Sequence, residues 1–139
     1  MSSTDDLAED VRALLHEHIE SYEQLEVLLL LRREREEWTA AALAARLHIR
    51  EELIASALKG LRIGGLVVAT GAAGEPRFAY RPASLRIDAA AGRLEREYAE
   101  RPIRIIQLMS ANAIDRVRTA ALHTFADAFV LKKKDTDRG

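Results

Sequence analysis

Apolar positions recur along this chain at two different periods, and the change from one to the other divides it. Over residues 5–19, Leu7, Val11, Leu14, Leu15 and Ile19 return at steps of three and four, the spacing of one helix face. Asp5, Asp6, Glu9 and Asp10 crowd the first turns, where the helix dipole favours negative charge. A stripe of this kind has to be covered, and a dimer interface is the expected cover. Ser21 and Gln24 match the S-x-x-Q pattern of a capping box, which starts a second helix at Tyr22. Leu25, Leu28 and Leu29 form one face, and Val27, Leu30 and Leu31 widen it to nearly the whole circumference. This is the expected central buried helix. It ends in the charged run 32–37, after which Trp38 is expected to anchor the core where the chain turns.

The helical period resumes at once in two shorter pieces. Thr39 is suited to N-cap a helix in which Leu43, Ala44 and Leu47 face inward. His48 and Ile49 make a turn, with Ile49 plugging it. The next helix, 50–63, turns Leu53, Ile54, Ala57, Leu58 and Leu61 inward and Arg50, Glu51, Ala55, Ser56, Lys59 and Arg62 outward. Gly64-Gly65 stops it, since glycine takes the left-handed conformation at little cost. From there the period drops to two. Residues 66–70 read as a strand, 71–75 as a turn, and 76–81 as a return strand with Phe78 and Tyr80 on one face and Arg77, Ala79 and Arg81 on the other.

The run LAARLHI, then REELIASALKGLRIGGLV, then an arginine-bearing hairpin resembles the winged helix-turn-helix domain of bacterial transcriptional regulators, over about residues 22–82. The resemblance implies a mostly α fold with a small β-hairpin wing and additional N- and C-terminal helices. It also implies a dimeric DNA-binding protein that reads duplex DNA with helix 50–63 and a wing at 66–81. On that reading Arg50, Ser56 and Lys59 meet base edges or phosphates, and Arg46 and Arg62 lie near the DNA backbone. His48, in the turn, is a candidate phosphate contact, and Arg77 and Arg81 on the wing reach phosphate or the minor groove. Arginine suits both targets because its donors form a planar fork.

Helical periodicity returns after the hairpin. A helix is expected over 84–100, with Leu85, Ile87, Ala91, Leu94 and Tyr98 apolar. Pro102 fits the first position of another, where its missing N–H is no loss. The dense apolar set Ile103, Ile105, Ile106, Leu108 and Met109 reads as helix, with a strand as the alternative. Residues 110–112 read as a break, 114–131 as the last helix, and 135–139 as a disordered end after Lys132, Lys133 and Lys134. The expected organisation is an N-terminal helix (1–20), the winged helix (21–82), a helical dimerisation region (83–131) and a charged tail (132–139). The C-terminal helices carry more apolar surface than one small domain can cover, so a homodimer through the N- and C-terminal helices is the expected state.

Charge changes this picture less than its distribution does. The net charge is −1. Residues 1–38 hold four basic and eleven acidic side chains, whereas 39–81 hold six basic and three acidic. The proposed DNA-facing segment is therefore basic within an acidic chain. Against that stand Glu51 and Glu52, in the first turn of the helix that would approach DNA. They leave a second reading open: a winged-helix protein–protein interaction module without DNA binding.

Other chemistry is largely excluded. There is no Cys, hence no disulfide and no thiolate metal site. His16 and His18 lie on different faces of a helix and cannot chelate one metal together. Gly71 and Gly74 belong to a hairpin turn, not to a strand-to-helix phosphate loop. No enzyme activity and no cofactor are expected. The longest run of large apolar residues is Val27 to Leu31, and the first residues are acidic with no apolar signal core. A soluble cytoplasmic protein without membrane contact is the expectation.

Overall fold

A computed structural model describes residues 7–71 and 74–137, with side chains to residue 128. The chain divides after Met109 into two compact units. In order, it forms α1 (Glu9–Glu17), α2 (Tyr22–Glu34), β1 (Trp38–Thr39), α3 (Ala40–Leu47), α4 (Glu51–Ile63), β2 (Val67–Thr70), β3 (Arg77–Tyr80), α5 (Leu85–Glu100) and α6 (Pro102–Asp137).

The first unit is built around α2. Its N-terminus carries the capping box in full: the Ser21 hydroxyl accepts from the Gln24 N–H at 3.1 Å, and the Gln24 side-chain oxygen accepts from the Ser21 N–H at 3.1 Å. Leu25, Leu28, Leu30 and Leu31 are fully buried, with α4, β3 and α3 packed around the helix. Removing one such leucine from water is worth about 2 kcal/mol, so this helix contributes heavily to the core. α1 packs against α5, and Val11, Leu14 and Leu15 of α1 are buried.

This packing revises one expectation. The apolar stripe of the N-terminal helix is covered by the chain itself, so no partner is needed to bury Leu7, Val11, Leu14, Leu15 or Ile19. The helix also begins at Glu9 rather than near residue 5, and Asp5 and Asp6 lie outside the described residues.

The sheet has the order β1–β3–β2, antiparallel throughout, with Trp38 opposite Phe78 and Val67 opposite Tyr80. The two-residue strand β1 has no signature of its own in sequence. Trp38 is half-buried against the core, but its indole N–H is buried with no hydrogen-bond partner among the described residues. In α4, Ile54, Ala57, Leu58 and Leu61 are buried, whereas Leu53, expected inward, is exposed. Gly64 keeps right-handed geometry, and it is Gly65, at φ +75°, that turns the chain out of α4. Leu85 is likewise exposed, standing just after the Ser84 cap of α5.

Pro102 opens α6, so residues 103–109 are helical and the strand alternative falls. The expected break at 110–112 is absent: α6 runs through Ser110, Ala111 and Asn112 without interruption. Alanine favours helix, and serine and asparagine cost only about 0.5 kcal/mol each there. The helix also continues to Asp137, so residues 135–137 are not without structure, while 138–139 lie outside the described residues. The second unit is the part of α6 from Ser110 onward.

Candidate nucleic-acid interface

The interface candidate begins at Thr39, whose hydroxyl accepts from the Ala42 N–H at 3.1 Å and starts α3. α3 ends at His48, in the left-handed conformation at φ 57° and ψ 42°. A left-handed residue reverses the chain in minimal length, and Ile49 follows with its N–H donating to the Ala44 carbonyl at 3.1 Å. Arg50 then caps α4 through its backbone, its carbonyl accepting from Leu53 and Ile54. The turn therefore places His48 and Arg50 outside the core, both exposed, immediately before α4.

A helix advances about 100° per residue. With Ile54, Ala57, Leu58 and Leu61 inward, the stripe diametrically opposite is Glu52, Ser56, Lys59 and Ile63, all exposed. Glu51, Ala55 and Arg62 flank that stripe on the side of the hairpin. A groove of about 280 Å³ separates α4 from the hairpin turn, lined by Glu51, Ala55, Lys59 and Arg62 from the helix and Gly74, Glu75 and Pro76 from the turn. Lys59 and Arg62 also border Val67, Val68 and Ala69 of β2. These two cations thus stand where helix and hairpin meet.

Arg77 and Arg81 occupy the outer face of the hairpin rather than that groove. Arg77 sits on the central strand β3, opposite Thr39 on one side and Thr70 on the other. Arg81 follows β3, with its N–H donating to the Leu66 carbonyl at 3.1 Å. Phe78 and Tyr80 are buried on the opposite face, as alternation requires. Arg46 is exposed but lies 3.8 Å from Glu34, which partly neutralises it. Among the described residues no ion pair engages Arg50, Lys59, Arg62, Arg77 or Arg81.

No family model matches the sequence, and no curated protein matches it as a relative. The fold does have solved counterparts. The chain is similar to HlyU from Vibrio cholerae N16961, at 22% identity and a TM-score of 0.51, over 63% of this chain and 92% of that one. It is also similar to a MarR family transcription regulator, at 18% identity and a TM-score of 0.50, over 85% of this chain and 80% of that one. The chain is a winged helix-turn-helix.

In these terms α3 and α4 are the helix-turn-helix and β2–β3 is the wing. The winged helix also contains a polar cluster that no sequence pattern revealed. Tyr80, at the end of β3, donates its hydroxyl to Asp88 of α5 at 2.6 Å. The guanidinium carbons of Arg35 and Arg32 lie 5.0 and 5.8 Å from the Tyr80 ring centroid. Arg32 also donates to Glu95 of α5 at 2.6 Å, giving an ion pair between α2 and α5. Room for it comes from Gly92, where a Cβ would stand 2.9 Å from the guanidinium. Burial, and then the hydrogen bond to Asp88, push the Tyr80 phenol up to about 12. A second tyrosine, Tyr98, donates to Glu26 at 3.1 Å and is raised by burial and by that bond. These partners are up to 72 positions apart in sequence, so spacing could not have found them.

Among the described residues no group of three or more His, Cys, Asp or Glu could hold a metal ion. None of their helices is long and apolar enough to cross a membrane.

Proposed function

We propose that this winged helix is a bacterial transcriptional regulator, a cytoplasmic homodimer that enters the major groove with α4 and grips the DNA backbone with its wing. The observation that carries the reading is the set of exposed cations, Arg50, Lys59, Arg62, Arg77 and Arg81, that no ion pair engages among the described residues, on the helix-turn-helix and wing of a chain whose net charge is −1. Ser56 and Lys59 on the outer stripe of α4 are the base-edge residues, together with Arg50 at its start. His48, Arg46 and Arg62 meet flanking phosphates, and Arg77 and Arg81 meet phosphate or the minor groove. Residues 21–82 are the DNA-reading region. The reading has no catalytic step and needs no cofactor.

Dimerisation belongs to the C-terminal region. In the second unit Ile114, Val117 and Leu122 are 57%, 69% and 69% exposed, an apolar set on one broad side of a helix. A second copy supplies the same surface and closes a two-fold contact.

The test is fluorescence anisotropy of labelled duplex DNA titrated with the full chain at about 50 and 200 mM salt. Neutralising several phosphates makes affinity fall steeply over that range, so micromolar binding at low salt that collapses at high salt is expected. Absence of binding at both salts overturns the reading. The alternative, a protein-interaction module, is favoured by two features of the same face: the carboxylates of Glu51 and Glu52, and Ile63, which is 80% exposed. It becomes the better reading if DNA is not bound.

A further inference from the structure

The outer stripe of α4 contains a feature that a purely electrostatic grip on phosphate does not explain. Glu52 is the second residue of the helix and lies on the line of Ser56, Lys59 and Ile63, opposite the buried Ile54, Ala57, Leu58 and Leu61. Glu51 stands to the side, on the groove shared with the wing turn. Among the described residues no ion pair engages either carboxylate, and the residues one turn on from Glu52, Ala55 and Ser56, cannot neutralise it. A negative charge at the N-terminal end of the reading stripe repels phosphate, so it weakens binding to every sequence unless a base edge satisfies it.

We infer that Glu52 is a specificity-determining residue that selects cytosine in the major groove, an inference that rests on the DNA reading above. An ionised carboxylate offers acceptors only. In the major groove the donors are the amino groups of cytosine and adenine. Adenine places the N7 acceptor beside its amino group, which faces the second carboxylate oxygen with like charge. In a C·G pair the cytosine amino group has guanine O6 on one side but only its own C5–H on the other, so a carboxylate approaching from the C5 side avoids that clash. The N-terminal residues of a recognition helix are those that reach base edges, and Glu52 is among them. Lys59 stands about 10 Å farther along the axis at 1.5 Å per residue, so it meets a different base pair. The combination of repulsion from the backbone and attraction to one base makes non-specific binding weak and specific binding selective, which suits a chain whose basic patch is small.

The experiment is selection from a random duplex library by the full-length protein and its E52Q and E51Q variants, followed by competition titrations on the enriched site. Both substitutions are at exposed positions and near-isosteric, so the fold is retained. The wild-type site is expected to hold one position restricted to cytosine. In E52Q that position shifts towards adenine, because glutamine pairs with the adenine edge, and the ratio of affinities for the cytosine and adenine sites changes about tenfold or more. E51Q is expected to leave the base preferences as they are. An unchanged cytosine preference in E52Q, or no cytosine preference in the wild type, overturns this inference and leaves the DNA reading standing. Wild-type protein that binds no duplex overturns both.

Discussion

Tyr80 shows how much one side chain can join. Its ring is buried, two guanidinium groups lie against that ring, and its hydroxyl ties the wing to α5 through Asp88. Tyr80→Phe keeps the ring and removes the bond, leaving Asp88 without its donor. A loss of about 1–2 kcal/mol in urea unfolding is expected, whereas Tyr80→Ala adds a cavity and loses about 3–5 kcal/mol. The phenol also sets a pH dependence. Its folded pKa of about 12 lies above the ordinary 10.0, so its contribution to stability is intact below pH 10 and fades as the pH climbs towards 12. Wild-type protein should therefore lose stability over that interval more steeply than Tyr80→Phe, as followed by circular dichroism. At the interface, Lys59→Ala should weaken binding to the preferred site by about 1–3 kcal/mol and relax the base preference at one position, as read by competition titrations. None of the Tyr80 cluster can be seen in the sequence, because its members come from α2, β3 and α5 and meet only when those elements pack.

Between elements, α2 and α4 are coupled through a glycine. The Gln24 side-chain oxygen caps α2 by accepting from the Glu20 and Ser21 N–H groups, and its amide nitrogen lies against Gly60 of α4. A Cβ at position 60 would fall 2.1 Å from that nitrogen. Helix propensity alone makes Gly60→Ala stabilising by about 1 kcal/mol. The structure reverses the sign: the Gln24 amide must move, the cap loosens, and a net loss of about 1 kcal/mol is expected in denaturant unfolding. A Gln24→Ala background separates the two effects, since there Gly60→Ala should become neutral or stabilising. The elements themselves are mostly legible in the sequence. Capping by Ser21 and Thr39, the period-two stretch of the wing and the proline start of α6 all appear where local chemistry puts them. Two features are not legible. The two residues of β1 form a strand only because β3 lies beside them. The weak helix formers at 110 and 112 suggest a break, but their small cost does not interrupt a helix that continues on either side.

For the molecule as a whole the question is what covers α6. The exposed side chains of Ile114, Val117 and Leu122 are the surface a second copy would bury. Ile114→Asp combined with Val117→Asp puts charge into that surface. Sedimentation velocity should show the wild type as a dimer of 15.5 kDa chains at micromolar concentration and the double variant as a monomer with its circular dichroism retained. A wild-type monomer at that concentration defeats the dimer. DNA affinity of the double variant should also fall, because two linked half-site contacts become one.

Periodicity, caps and turn glycines act within a few residues of one another, so the helices, the hairpin and most of the faces they bury can be read along the chain. The cations of the helix-turn-helix can be read too, since charge is written residue by residue. Packing alone settled which element covers which. The stripe on α1 is taken up by the chain's own core and leaves nothing for a partner, Leu53 is exposed although its spacing points inward, and Glu52 rather than Glu51 shares the outer stripe with Lys59. Each of these depends on how a helix is rotated against its neighbours, and that rotation is set by contacts between residues far apart in the chain.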